Sequence, residues 1–140
     1  MIDQTSFYND VIHTYRQLTN RANRVLEKYD LSSSYWRVIR IVERADGKKF
    51  GDITAELQIE KPALTKLIKK LVELNYVTVQ RGEDRREKVI LLTVEGRERI
   101  QIIRQELEPL LASGLVDIDE QQLLLVQDVL KSIQHNLKEQ

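Results

Sequence analysis

The chain has 140 residues, 41% hydrophobic and 31% charged, with 22 Lys and Arg against 22 Asp and Glu. A chain of this length suits one soluble domain with extensions and buries roughly two-thirds of its unfolded surface. With no cysteine it can form neither disulfides, thiolate metal sites nor a cysteine redox switch, and no apolar run reaches the ~18–20 residues of a membrane span.

The N-terminal "MIDQTSFYND" lacks the basic-then-apolar layout of a secretory signal, so a cytoplasmic location is expected. The neutral total charge hides a segregation. Lys and Arg are in surplus between Lys61 and Lys88, whereas from Arg104 onward three basic residues face seven acidic ones.

Residues 5–29 are predicted as one long helix, capped by Thr5 or Ser6. Its apolar stripe is Phe7, Val11, Tyr15, Leu18, Ala22, Leu26 and Tyr29. "DLSSSYWRVIRIVERADG" gives serine caps, then a short helix with Tyr35, Trp36, Ile39 and Val42 inward, stopping at Gly47. A third helix covers about Phe50 to Leu57. A fourth starts near Pro62, where a residue without an N–H suits the first turn. Its apolar face is Leu64, Leu67, Ile68, Leu71 and Leu74; its polar face carries Lys61, Thr65, Lys66, Lys69, Lys70 and Glu73.

The runs "YVTVQ" and "KVILLT" flank "RGEDRRE" and predict a hairpin with a charged tip. Thr93 opens a helix to about Ser113, which Pro109 is expected to kink or end early. Asp119 caps a final helix with Leu123, Val126, Leu130, Ile133 and Leu137 at helical steps.

These elements predict a mainly α fold with a small β-hairpin: a winged helix-turn-helix flanked by N- and C-terminal dimerisation helices. The whole of 1–140 is expected to form a single domain, with the winged core at 31–93 and the helical dimerisation region at 1–30 and 94–140. The flanking stripes carry more apolar surface than a core of that size covers, which marks them as an association surface and the protein as a homodimer.

In a helix-turn-helix the second helix enters the major groove and its N-terminal residues reach the bases. Those residues are Lys61, Pro62, Ala63, Thr65 and Lys66, with Lys69 and Lys70 placed one turn on for phosphates. The hairpin tip offers Arg85 and Arg86 to the minor groove, with Lys88 at its base, and the Asp84 carboxylate is expected to orient the neighbouring guanidinium. Double-stranded DNA is the partner these residues suit.

"EKPALTKLIKKLVELNYV" followed by "GEDRREKVILLTVEGRE" resembles the MarR family of transcriptional regulators. The shared wing pattern is Asp84, Arg86, Leu92, Thr93 and Gly96; "SSSYWRVIRIV" is similar to the family's second helix. The resemblance implies a homodimer with interlocked terminal helices, bound to a pseudo-palindromic operator and usually repressing. It makes Arg86 the minor-groove arginine with Asp84 as its partner, and sets Thr65 and Lys66 where the family carries Thr-Arg. Glu60 departs from the usual capping Ser or Thr, and the wing tip is short and without proline.

Many members of that family are released by a small, often phenolic, anion. Tyr8, Tyr15, Arg16, Tyr35, Trp36 and Arg40 are of types suited to bind one, although ordinary packing explains them too. No cofactor or metal is expected: His13 and His135 are the two histidines, and no ligand cluster accompanies them. An enzyme is disfavoured by the lack of a phosphate loop, of a nucleophile beside a base, and of metal-ligand spacing. The remaining alternative is a winged-helix protein–protein interaction module of anti-repressor type, without DNA binding.

Overall fold

The computed structural model describes residues 1–138. Helix α1, Gln4–Leu26, is capped not by Thr5 or Ser6 but by Asp3, whose carboxylate accepts from the Thr5 N–H at 3.1 Å. Asp is among the strongest N-cap residues because its side chain reaches an orphan donor of the first turn. The α-helix ends three residues earlier than the stripe suggests. A 3-10 turn, Glu27–Tyr29, tightens it, and Asp30 in the left-handed conformation (φ 60°) stops it. Only Leu26 of α1 is buried.

Helix α2, Ser33–Glu43, buries Val38, Ile39, Ile41 and Val42. Tyr35 and Trp36 are half-buried against that core rather than fully inward. Ser32 holds the N-cap position without a side-chain bond. Asn23 supplies the cap instead: its Oδ1 accepts from the Ser33 N–H at 2.7 Å and from the Ser33 hydroxyl at 2.6 Å. The chain turns at Gly47 (φ 98°) into a strand absent from the sequence prediction, β1, Lys48–Lys49. Two residues give no periodicity to read.

Helix α3, Phe50–Leu57, ends at Gln58 in the left-handed conformation. Helix α4, Lys61–Glu73, follows with Pro62 in its first turn and Leu64, Ile68 and Leu71 buried. Strands β2, Val77–Arg81, and β3, Lys88–Leu92, form the hairpin with Val77 opposite Leu92 and Arg81 opposite Lys88. Strand β1 adds to β3 in antiparallel register, Lys49 opposite Val89, giving the order β1-β3-β2.

Helix α5, Val94–Gly114, contains Pro109 and runs past it for five residues. A proline removes one donor from the ladder and leaves the carbonyl four residues earlier unpaired. Here that carbonyl belongs to Gln105, and both residues are exposed, so water can serve. Helix α6, Glu120–Leu137, begins at a reciprocal capping box: Asp119 accepts from the Gln121 N–H, and the Gln122 side chain accepts from the Asp119 N–H.

By contacts the chain separates into two compact units, Met1–Leu110 and Leu111–Gln140. The core of the first joins Leu26, Ile39, Ile53, Leu64, Tyr76 and Ile90 to Ile100, Ile103 and Leu107 of α5. It therefore extends beyond the expected limit at Thr93. Each such aliphatic side chain, fully buried, contributes about 1.5–3 kcal/mol, and that burial seats the hairpin beside α4. In the second unit α6 buries none of its residues.

Candidate nucleic-acid interface

The three turns that shape the interface are local. Between α3 and α4 the left-handed Gln58 reverses the chain, and the Ile59 N–H donates to the Thr54 carbonyl at 3.2 Å. Glu60 then takes the N-cap conformation without a side-chain bond; its carbonyl accepts from the N–H groups of Ala63 and Leu64. Pro62 presents no donor, so this helix end is left with few orphan N–H groups.

Every DNA-contact candidate on α4 is exposed: Lys61, Pro62, Ala63, Thr65, Lys66, Lys69 and Lys70. The Thr65 hydroxyl donates to the Lys61 carbonyl at 2.9 Å. Its oxygen is thus engaged with the helix, and the methyl is the part available for apolar contact.

The wing tip is closed by main-chain bonds. The Gly82 N–H donates to the Glu87 carbonyl at 2.9 Å, and the Glu87 N–H to the Asp84 carbonyl at 2.8 Å. The Asp84 carboxylate accepts from the main-chain N–H of Arg86 at 3.1 Å. To the expected pairing with a guanidinium the structure adds a bond to the main chain: Asp84 shapes the backbone that carries Arg86, in an Asx turn. Asp84, Arg85, Arg86 and Lys88 are all exposed.

The hairpin and the start of α4 meet across an open concavity of about 530 Å³ lined by Lys49, Phe50, Gly51, Asp52, Lys61, Arg86, Glu87 and Lys88. Four cations face two carboxylates there, and Glu87 is held by Lys49 at 3.4 Å. Lys61, Arg86 and Lys88 were legible as candidates from sequence. Lys49, Asp52 and Glu87 were not, because they enter the site through β1, the first turn of α3 and the wing base. The dipeptide Lys48–Lys49 just ahead of a helix was the available signal.

Leu92, Thr93 and Gly96 do a different job. The Thr93 hydroxyl donates to the Asn75 carbonyl at 2.7 Å and accepts from the Gly96 N–H at 2.8 Å, while the Thr93 N–H donates to the Tyr76 carbonyl at 3.0 Å. Asn75 (φ 64°) turns the chain out of α4 at this point. Arg99 completes the lock, donating to the Leu74 carbonyl at 2.7 Å with its guanidinium 5.3 Å from the Tyr76 ring centre. Burial pushes the Tyr76 phenol up, against the lowering effect of Arg99.

The effector candidates lie on α1 and α2. Tyr8 lines a depression of about 370 Å³ with Ile2, Gln4 and Phe7. Tyr15, Arg16 and Arg40 are exposed, and Tyr35 and Trp36 are half-buried. Among the described residues no group of three or more His, Asp or Glu lies placed to hold a metal ion, and no helix is long and apolar enough to cross a membrane.

Comparison with known proteins agrees with the geometry. A model of the MarR family matches residues 29–87. An HTH-type transcriptional regulator of Staphylococcus aureus strain Mu50 is 30% identical over 105 residues, which cover 74% of this chain and 72% of the relative. Among solved structures, Staphylococcus aureus MarR in complex with salicylate and kanamycin superposes with a TM-score of 0.83 at 26% identity, over 95% of this chain and 91% of that one. A MarR transcriptional regulator from Methanosarcina mazei Go1 gives 0.85 at 21% identity, over 97% and 92% of the two chains, and shares the fold.

Proposed function

The chain belongs to the MarR family of DNA-binding transcriptional regulators, and we propose that it is a homodimeric repressor of a pseudo-palindromic operator. The observation that carries this reading is the concavity shared by α4 and the wing, which brings Lys61, Arg86 and Lys88 to one side of the molecule. In the proposed complex Lys61, Thr65 and Lys66 address base edges in the major groove. Thr65 does so through its methyl, a partner for thymine. Lys69, Lys70 and Lys88 meet phosphates, and Arg86 enters the adjacent minor groove with Arg85 beside it. Asp84 acts through the turn it fixes. Two such units would place their α4 helices about 34 Å apart, in successive major grooves on one face of the duplex.

A small-molecule effector is part of the proposal on the likeness to the salicylate-bound Staphylococcus aureus structure. The candidates remain Tyr8, Tyr15, Arg16, Tyr35, Trp36 and Arg40, and salicylate is the first probe to add to a preformed DNA complex.

The test is selection of bound sequences from a randomised duplex pool, then titration of the winner by wild type and Arg86→Ala. A two-fold-related motif is expected, with affinity falling steeply as salt rises and the variant weaker by about 1–3 kcal/mol. Absence of any binding at low salt would transfer the protein to the interaction-module class. Binding that ignores Arg86→Ala would remove the wing from the mechanism.

A further inference from the structure

Lys49 belongs neither to the recognition helix nor to the wing, yet it stands on the concavity between them. Strand β1 puts it there: pairing with β3 sets Lys49 opposite Val89, two residues beyond Glu87. Its ammonium lies 3.4 Å from the Glu87 carboxylate and its side chain is 56% exposed. An ammonium has three donors, so one bond to Glu87 leaves others to offer.

The strand of a duplex that separates a major groove from the neighbouring minor groove is a line of phosphates. With α4 in the first groove and the wing in the second, that strand must cross the concavity where Lys49 stands. We propose, on the premise of the DNA-binding reading above, that Lys49 is a further DNA-contacting residue. It binds a backbone phosphodiester at this crossing with the donors that its ion pair with Glu87 leaves over. The Glu87 carboxylate, 3.4 Å from that ammonium, opposes the same phosphate and is not needed for the contact.

A pair that served only to brace β1 against the wing would respond alike to loss of either member. A phosphate contact would not. The experiment measures binding of a mixed-sequence duplex and of the selected operator across a salt series, for wild type, Lys49→Gln, Lys49→Arg and Glu87→Gln, with thermal melts to confirm folding. Expected for Lys49→Gln is several-fold weaker binding and a log K against log salt slope shallower by about 0.9 per bound subunit. Lys49→Arg should keep the slope. Glu87→Gln should keep the slope and bind at least as tightly as wild type, since a charge repelling phosphate is gone.

Equal weakening by Lys49→Gln and Glu87→Gln, or an unchanged slope in Lys49→Gln, overturns the assignment while leaving the DNA-binding reading intact. A wild-type protein that binds neither duplex overturns the reading itself, and this inference with it.

Discussion

Gly96 shows how one residue can be legible as a motif while its purpose is not. Its place in the Thr93–Gly96 pattern marked it out beside the wing, but the structure gives it a packing role. A Cβ built there would lie 2.3 Å from the Tyr76 carbonyl oxygen and 3.0 Å from the Thr93 hydroxyl. The start of α5 is drawn that close by Thr93, whose N–H donates to the Tyr76 carbonyl and whose hydroxyl donates to the Asn75 carbonyl. Gly96→Ala is therefore expected to force the start of α5 off the Tyr76 backbone that leads into β2, at a cost of about 1–3 kcal/mol. Urea unfolding measures this directly, and an alanine variant as stable as wild type would show the close approach to be dispensable. Asp84 has the complementary lesson. Its presence near Arg86 was readable, but whether a carboxylate serves a guanidinium or a main-chain N–H depends on φ and ψ, which the residue types do not specify.

At the scale of elements, helix periodicity carried most of the fold: α3 falls on the expected limits, and α4, the hairpin and α6 within a residue of theirs. The ties between elements were hidden, because they join residues far apart in sequence. Helix α5 is fastened to the winged core by Arg104 with Glu43 of α2, and by Glu106, which accepts from Tyr29 and, at 3.1 Å, from Lys28. The hydrogen bond from Tyr29, then that from Lys28, holds the Glu106 carboxyl below its ordinary value of 4.5. Glu56 is lowered likewise by its bond with Lys48, which lies 2.8 Å away and ties β1 to α3.

A carboxylate whose folded pKa is depressed binds fewer protons folded than unfolded, so its stabilisation is present above the unfolded value and lost as pH falls through the folded one. Wild-type stability should thus decline below about pH 4.5. Glu106→Gln should be less stable at neutral pH and show a shallower decline in that acidic window. Parallel curves for the two proteins, from denaturant unfolding at a series of pH values, would mean that Glu106 is not thermodynamically coupled to Tyr29 and Lys28. Tyr29 gives the opposite sign. Its phenol is raised by the bond to Glu106, so that contribution is present below the ordinary value of 10.0 and is lost as pH rises through the folded one.

For the whole molecule, the decisive quantity is apolar surface that no element of the chain covers. The amphipathic stripe of α1 was readable, but periodicity does not distinguish a face covered by its own chain from one awaiting another. Tyr8, Val11, Ile12, Tyr15 and Leu18 of α1 are exposed, and so are Leu124, Leu125, Val126, Val129 and Leu137 of α6. An 18-residue helix in which no side chain is fully buried draws little of its stability from packing within the chain. A second copy would supply a partner surface, and the proposed homodimer rests on that deficit. Leu125 and Val129 stand one helical turn apart on the same face, 64% and 44% exposed. In the proposed dimer, replacing Leu125 by Glu would remove about 1.5–3 kcal/mol of burial per subunit and add a charge without a partner. The dimer should therefore weaken by at least about tenfold, and operator affinity should drop with it even though every DNA-facing residue is intact. Sedimentation equilibrium reads the first effect and duplex titration the second. A wild-type mass of one 16.4 kDa chain at micromolar concentration would refute the dimer. A dissociated variant that still bound the full operator with wild-type affinity would separate dimerisation from recognition, and each winged unit would then have to read its half-site alone.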